Sequence, residues 1–150
     1  MRPALLCLAI ILLATGCAIP RWPVEGTVTS PFGIRRDGFR LELHRGIDIA
    51  VPTGTPVRAM APGRVAFAGT MSGYGHVVIL DHGGVRTLYA HLSEISVRRN
   101  QEIRGREVIG LSGSTGRSSG PHLHFEILRG RRAEDPVPLL GGFPRPRVSR

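Results

Sequence analysis

The stretch that decides the fold is Ser119-Gly120-Pro121-His122-Leu123-His124-Phe125-Glu126-Ile127-Leu128, in which polar and apolar side chains alternate after a Gly-Pro turn. Alternation of this kind predicts a half-buried strand, because successive side chains of a strand point to opposite faces. We therefore expect Leu123, Phe125 and Ile127 to face a core, while His122, His124 and Glu126 share the other face. The two imidazoles would stand about 6.6 Å apart, which suits one histidine on a metal and its neighbour on the reacting group. This stretch alone also allows an edge strand with a solvated polar face.

The remainder of the chain is rich in Gly, Pro and β-branched residues and has no long amphipathic helical pattern. It predicts an all-β fold, a compact antiparallel sheet or barrel-sandwich with short strands and Gly-rich turns. Residues 53–69 and 100–113 look like two copies of one unit, a Gly-bounded strand hairpin, so we expect a duplicated hybrid motif. Between the copies, residues 77–81 and 85–89 are predicted to form a further hairpin around a His-Gly-Gly turn. Residues 24–36 are predicted to be strand, turn and loop.

Two further histidines and an aspartate are candidate site residues. In an extended chain His44 and Asp48 would point to one face, and Ile47 and Ile49 to the other. The spacing is a weak signal by itself, but a carboxylate among apolar neighbours needs a partner, because burying an unpaired charge is costly. His91 lies near the end of a predicted strand and has the parity of Tyr89, so that its side chain would share the face of Tyr89. The two remaining histidines, His76 and His82, are interpreted as structural.

The N-terminus predicts export. Residues 1–16 have the features of a signal peptide, since Arg2 precedes an apolar run that is too short to span a bilayer. The five residues that end at Cys17 resemble a bacterial lipobox, in which Cys17 becomes the lipidated first residue and residues 17–22 form a short tether. An uncleaved anchor and ordinary cleavage near Ala18 are the alternatives. All three place the rest of the chain outside the cytoplasm.

Cysteine usage and charge restrict the function further. The two cysteines lie in the signal segment and at the lipidation position, so the mature domain has neither a disulfide framework nor a cysteine nucleophile. The formal net charge is +9 and every one of the 20 basic residues is Arg. This excess favours polyanions, which outside the cytoplasm are wall polymers and anionic lipids; a general bias towards Arg explains it equally well. No Arg cluster alternates with aromatic residues, so we do not expect nucleic-acid binding.

Four motifs stand out along the chain: Ser30-Pro31-Phe32-Gly33-Ile34-Arg35, the His44 to Asp48 segment, Tyr89-Ala90-His91-Leu92, and residues 114–126. Together they resemble the motifs of the LytM/lysostaphin-type zinc metalloendopeptidases, which cut peptidoglycan peptides. The resemblance runs from Trp22 to about Leu140, and implies a peptidase domain at residues 23–140 followed by a Pro/Arg-rich tail at residues 141–150. Two positions depart from the family pattern, with His76 where Asn is common and Asn100 where Gly is common.

The resemblance implies that Zn²⁺ is held by His44, Asp48 and His124, with His91 and His122 beside the metal as the catalytic pair. Three nitrogen and oxygen ligands leave a fourth position for water, which is typical of a catalytic zinc site. The two remaining histidines can supply a proton acceptor and a partner for the oxyanion, and the sequence leaves open which does which. The expected partners are peptidoglycan peptides and, through the lipid, a membrane. The periplasmic face of the outer membrane is the expected location.

Three classes of function were compared. The first is an active zinc endopeptidase. The second is a catalytically silent relative that binds peptidoglycan or activates another wall hydrolase; silent members typically lose metal ligands, whereas all five site residues are present here. The third is a biotinyl- or lipoyl-type carrier, suggested by the twin Gly-bounded hairpins. Carriers attach their cofactor to Lys, and the chain contains none, which excludes this class.

Overall fold

The computed structural model describes residues 19–37 and 39–142, and within them the fold is almost entirely antiparallel β-structure. The predicted fold class is confirmed. The predicted signal peptide, Cys17 and most of the predicted C-terminal tail lie outside the described residues. Within the described part no helix is long and apolar enough to cross a bilayer. The elements are β1 Thr27–Ser30, β2 Gly33–Asp37, β3 Arg40–His44, β4 Ile47–Ala50, β5 Pro56–Arg58, β6 Gly63–Met71, β7 Gly75–Asp81, β8 Val85–Leu92, β9 Glu94–Ile95, β10 Glu102–Ile103, β11 Val108–Leu111, β12 His122–Arg129, β13 Arg132–Glu134 and α1 Pro136–Leu139.

The strands form three sheets. The largest has the order β1-β4-β12-β8-β7-β6-β10, with β13 paired to the end of β12. A three-stranded sheet has the order β5-β11-β9, and β2 pairs with β3 alone. Because β12 lies between β4 and β8, the edge-strand interpretation of the alternating stretch is wrong.

The core lies between the large sheet and the three-stranded sheet. Leu123, Phe125 and Ile127 are buried in it, as their alternation predicts. Phe125 packs against Tyr89 of the neighbouring strand, with 5.2 Å between ring centroids. Complete burial of side chains of this size contributes about 1.5–3 kcal/mol each. Strand β12 is therefore fixed by its apolar face, which determines where its polar face points.

The two Gly-bounded units pair with each other. Strand β5 of the first unit pairs with β11 of the second, and β6 pairs with β10. The prediction of two related units is therefore supported, but neither unit is a hairpin by itself, because each strand finds its partner in the other copy. Asn100 has a φ of +69°, the left-handed conformation that Asn tolerates. The hairpin predicted around residues 82–84 is present as β7 and β8.

Strands β2 and β3 form a hairpin that the sequence did not predict, since β2 lies where a turn and loop were expected. Ile34 lies opposite Leu43, and Arg36 opposite Leu41. The three apolar side chains are 78%, 59% and 73% exposed for Ile34, Leu43 and Leu41 respectively. Backbone pairing rather than burial of apolar side chains therefore defines this element, which delivers His44 to the large sheet.

Candidate metal centre

His44 and Asp48 lie on different sheets. Strand β3 ends at His44, and the chain crosses at Arg45-Gly46 to begin β4 at Ile47. Gly46 is required here, because a Cβ at this position would collide with the carbonyl oxygen of Phe125. The single extended strand assumed from the sequence is therefore wrong. The two side chains nevertheless converge, with 3.2 Å between His44 Nε2 and Asp48 Oδ1.

His124 completes a cluster of three side chains that could hold a metal ion. It lies directly opposite Asp48 in the pairing of β12 with β4. Its Nδ1 is 2.8 Å from Asp48 Oδ1 and 3.2 Å from His44 Nε2. Both histidines are buried, whereas the Asp48 side chain is 16% exposed. The structure thus brings together the three residues that the resemblance implied as ligands.

The outer nitrogens of the two histidines determine what the inner ones offer. His44 Nδ1 is 2.8 Å from the carbonyl oxygen of Pro31, which can only accept, so Nδ1 donates and Nε2 keeps its lone pair. His124 Nε2 is 3.1 Å from Glu126 Oε1 and donates to it, which leaves the Nδ1 lone pair facing inward when the ring is neutral. Bonds of about 2.0–2.1 Å to a tetrahedral zinc ion would separate its ligand atoms by about 3.3 Å. The observed atoms fit that donor set.

The hydrogen bonds within the cluster favour an ionised Asp48 and a protonated His124. Burial tends to raise the pKa of Asp48, but hydrogen bonds with His124 and His44 outweigh burial and hold this pKa well below its usual range. Burial tends to lower the pKa of His124, yet the bonds to Asp48 and Glu126 raise it overall. The same bonds therefore make His124 hold a proton more readily than a free imidazole does.

His91 reaches the site through a β-bulge. Tyr89 pairs with Val78 and Leu92 pairs with His76, so β8 has one residue more than β7 in this interval. His91 has a φ of +58°, which is uncommon for a residue with a Cβ. Tyr89 and Leu92 both lie in the core. The expectation that His91 shares the face of Tyr89 is therefore wrong, because the bulge turns its ring to the face that carries His124.

His91 and His122 form a pair beside the cluster. Their ring centroids are 4.6 Å apart. His91 Nδ1 donates to the carbonyl oxygen of Thr115 at 2.7 Å, and His122 Nδ1 donates to that of Gly120 at 2.8 Å. Each ring therefore keeps the Nε2 lone pair available; for His122 this atom lies 3.7 Å from Asp48 Oδ1. Burial lowers the pKa of His91, so its ring is neutral at neutral pH.

The loop that accepts the ring hydrogen bond of His91 is itself held by hydrogen bonds to the neighbouring strands. The Thr115 hydroxyl accepts the backbone N–H of His76 at 3.0 Å and donates to the Leu92 carbonyl at 2.7 Å. Gly75 and Gly116 allow this approach, since a Cβ on either would collide with the other segment's backbone. His76 thus contributes through its backbone. His82 lies elsewhere and bonds to Pro62 and Thr87, in agreement with a structural role.

Two residues near the cluster had no role assigned from the sequence. Glu126 is 1% exposed, and its Oε1 accepts from both the Tyr74 hydroxyl, at 2.7 Å, and His124. Burial would raise the pKa of Glu126, but these bonds outweigh it and lower the pKa below its usual value. Burial and the same carboxylate raise the pKa of Tyr74 to about 12. The alternation placed Glu126 on the polar face, whereas nothing in the sequence marked Tyr74, which lies in the β6–β7 turn.

Comparison with known sequences gives a consistent family match. Residues 42–136 match the profile of Peptidase family M23. The DD-carboxypeptidase/endopeptidase Mpg of Neisseria meningitidis is 50% identical over 113 residues, which cover 73% of this chain and 26% of that protein. The murein hydrolase activator NlpD of Escherichia coli is 39% identical over 122 residues, 80% of this chain and 31% of that protein. The chain thus spans between about a quarter and a third of these relatives.

Solved structures agree with the sequence relatives. A zinc-containing peptidase from Vibrio cholerae superimposes with a TM-score of 0.75 at 34% identity, over 82% of this chain and 39% of that one. The catalytic domain of the antimicrobial peptidase lysostaphin from Staphylococcus simulans gives a TM-score of 0.73 at 33% identity, over 78% of this chain and 93% of that one. The resemblance to the LytM/lysostaphin fold is therefore confirmed.

Proposed function

Because this chain belongs to peptidase family M23, we propose that it is a zinc-dependent endopeptidase that hydrolyses peptide bonds in the stem or cross-link peptides of peptidoglycan. The observation that carries the proposal is the arrangement of five side chains. Three of them converge with metal-ligand geometry, and two imidazoles lie beside them, each with its Nε2 directed away from the backbone carbonyl that holds its Nδ1.

The cation would be held by His44 Nε2, Asp48 Oδ1 and His124 Nδ1. Zinc in a three-ligand site supplies Lewis acidity, which polarises an amide carbonyl and makes water nucleophilic near neutral pH. Pro31 and Glu126 keep the outer nitrogens of the two histidines protonated, so their inner nitrogens remain ligands. Arg35 lies 3.6 Å from the second oxygen of Asp48 and balances its charge from the solvent side.

His91 and His122 would transfer the protons of the reaction. Amide hydrolysis needs an acceptor for the proton of water and a donor towards the negative oxygen of the transition state. Thr115 and Gly120 fix both rings with Nε2 directed away from the backbone. His91 remains neutral because burial lowers its pKa, which suits proton acceptance. A ring whose Nε2 is free can accept the proton of water, and once that nitrogen holds a proton it can donate towards the negative oxygen.

A regulatory function is the second candidate. It is favoured by one observation, the 39% identity to a protein named as a murein hydrolase activator. Under this alternative the chain would bind peptidoglycan or activate another wall hydrolase without cutting any bond itself. The complete set of ligand and pair residues supports the enzyme instead, since a binding protein needs none of them.

Digestion of purified peptidoglycan, followed by mass analysis of the released muropeptides, separates the two candidates. We expect the protein alone to release new fragments and the His44→Ala variant to release none. If neither releases fragments, while both increase release by a second hydrolase equally, the chain is a regulator. The fragment masses also identify the bond that is cut.

We propose further that the protein acts in the cell envelope, anchored by a lipid on Cys17 at the periplasmic face of the outer membrane. The support is the N-terminal sequence pattern and the brief tether at residues 17–22. Five extended residues reach only about 17 Å, so the peptidase domain would work close to its membrane.

A further inference from the structure

A hydrogen-bonded chain runs from the candidate metal cluster through a buried carboxylate to the β6–β7 turn. It begins at His124 Nδ1 in the cluster, continues from His124 Nε2 to Glu126 Oε1 at 3.1 Å, and ends at the Tyr74 hydroxyl, 2.7 Å from the same oxygen. The Tyr74 and His124 rings also lie side by side, with 5.6 Å between centroids. The family match assigns no role to Glu126 or Tyr74.

We propose that Glu126 and Tyr74 are positioning residues that hold His124 in the tautomer and orientation required to bind the metal. The inference deepens the proposed function, on whose metal site it rests. Imidazole has two tautomers, and only the one protonated at Nε2 offers Nδ1 to the cluster. A carboxylate that accepts from Nε2 selects this tautomer and makes Nδ1 a better donor to a metal.

The burial of Glu126 argues against a role in packing alone. A carboxylate with 1% exposure is expensive to bury, and Leu would fill the same space without that cost. Leu would, however, leave the Nε2–H of His124 without an acceptor and let the ring rotate or change tautomer. The second Glu126 oxygen faces the half-exposed Arg45 at 3.9 Å, too far for a strong bond. His124 and Tyr74 therefore supply the close contacts that keep the carboxylate in place.

Tyr74 connects the two halves of the site. Its hydroxyl donates to Glu126, and its backbone carbonyl accepts the N–H of His91 at 2.9 Å, at the bulge that directs the His91 ring to the site. Tyr74 thus contacts both Glu126, which supports the proposed ligand His124, and the backbone of His91, a proposed proton acceptor. The hydroxyl can be removed while the carbonyl remains, so the first role can be tested alone.

The test is the zinc dissociation constant of each purified variant, measured at fixed neutral pH by competition with a chelating dye. We expect Glu126→Leu to weaken zinc binding about 10- to 100-fold. Glu126→Gln should weaken it less, since the amide oxygen still accepts, and Tyr74→Phe should weaken it a few-fold. The matched controls are Glu134→Gln, on the strand next to β12, and Tyr89→Phe, a buried tyrosine bonded to Met60 and Thr87.

Thermal unfolding of the metal-free proteins separates positioning from structure. Tyr89→Phe should lower the unfolding temperature and leave zinc affinity unchanged, whereas Tyr74→Phe should weaken zinc binding. Parental affinity in a folded Glu126→Leu variant would overturn the inference. If that variant does not fold, parental affinity in both Glu126→Gln and Tyr74→Phe would do so. A parental protein that binds no zinc would overturn the proposed metal site as well, so the two failures are distinguishable.

Discussion

Each of the four site histidines is oriented by one acceptor on its outer side. His44 donates to a backbone carbonyl, as do His91 and His122, whereas His124 donates to the carboxylate of Glu126. These bonds determine which nitrogen of each ring faces the centre. Two of the inner nitrogens lie within the cluster of Asp48, and two lie beside it. The division into proposed ligands and proposed catalytic pair follows from these positions.

Substitution should separate the two groups. We expect His44→Ala, Asp48→Ala and His124→Ala each to lose zinc, because each removes a converging ligand atom. His91→Ala and His122→Ala should keep zinc and lose turnover by about 10²- to 10⁴-fold, the range for removal of an acid–base group. Elemental analysis and muropeptide release measure the two properties.

The matched control for these substitutions is His82→Ala, a histidine whose bonds to Pro62 and Thr87 lie away from the site. It should keep both zinc and turnover. If His122→Ala loses zinc while His124→Ala retains it, the assignment within the His-x-His pair is reversed.

The pH dependence of release should change with zinc supply. Burial lowers the pKa of His91 from its ordinary 6.5, so this ring stays neutral to a lower pH than a free histidine. Hydrogen bonds raise the pKa of His124 above 6.5, so protons compete with zinc at higher pH. At saturating zinc we expect release to persist below pH 6.5 before it falls; at limiting zinc it should fall above that value.

Muropeptide release over a pH series at two buffered zinc concentrations measures this effect. An acid midpoint that is the same at both zinc concentrations would contradict the competition at His124. A midpoint above pH 6.5 at saturating zinc would contradict the neutral state of His91.

At the level of elements, the bulge in β8 predicts which substitution at position 91 gives the more stable protein. A left-handed φ costs a residue with a Cβ about 1–2 kcal/mol, and Gly avoids this cost. We therefore expect metal-free His91→Gly to be more stable than His91→Ala by about 1 kcal/mol, as measured by urea unfolding. At His76, within the regular strand β7, the order should reverse, since Gly weakens a strand relative to Ala. Greater stability of His91→Ala would contradict the bulge.

Several elements could be predicted because their sequence carries a burial signal. The strict alternation in β12 places Leu123 and Phe125 in the core and His124 on the opposite face, as observed. The β7–β8 hairpin follows from two apolar runs around Gly83-Gly84. The resemblance of the motifs then indicated which polar residues would meet.

The remaining features depend on pairing that a single sequence does not encode. One extra residue in β8 reverses the face to which the His91 side chain points. The bulge is visible in the structure as the positive φ of His91, and no sequence pattern marks it. The hairpin of β2 and β3 exposes Ile34 and Leu41, so no burial pattern marked it. Glu126 looked like an ordinary polar-face residue, because the hydroxyl that donates to it belongs to Tyr74, 52 positions away in the chain.

For the whole molecule, the proposed anchor places a basic domain next to an anionic envelope. The formal net charge is +9, and the proposed tether would comprise residues 17–22. We expect Cys17→Ser to abolish acylation, so that the protein is found soluble or as an uncleaved precursor. The matched control is Cys7→Ser, which changes the other cysteine within the apolar run and should leave acylation intact.

Membrane fractionation and metabolic lipid labelling check this prediction. Continued acylation of the Cys17→Ser variant would contradict the anchor. Recovery of the lipidated protein in the inner membrane would contradict its proposed location alone.

The central claim is that the cluster of His44, Asp48 and His124 is a zinc site that is required for peptide hydrolysis. Titration of zinc into the metal-stripped protein, with muropeptide release as the readout, tests it most directly. The protein as purified serves as the reference. Release should rise in proportion to added zinc and reach its plateau at about one zinc per chain, as a single three-ligand site requires. Full release from the stripped protein, or no release at any zinc level from a folded protein that binds the metal, would contradict the account.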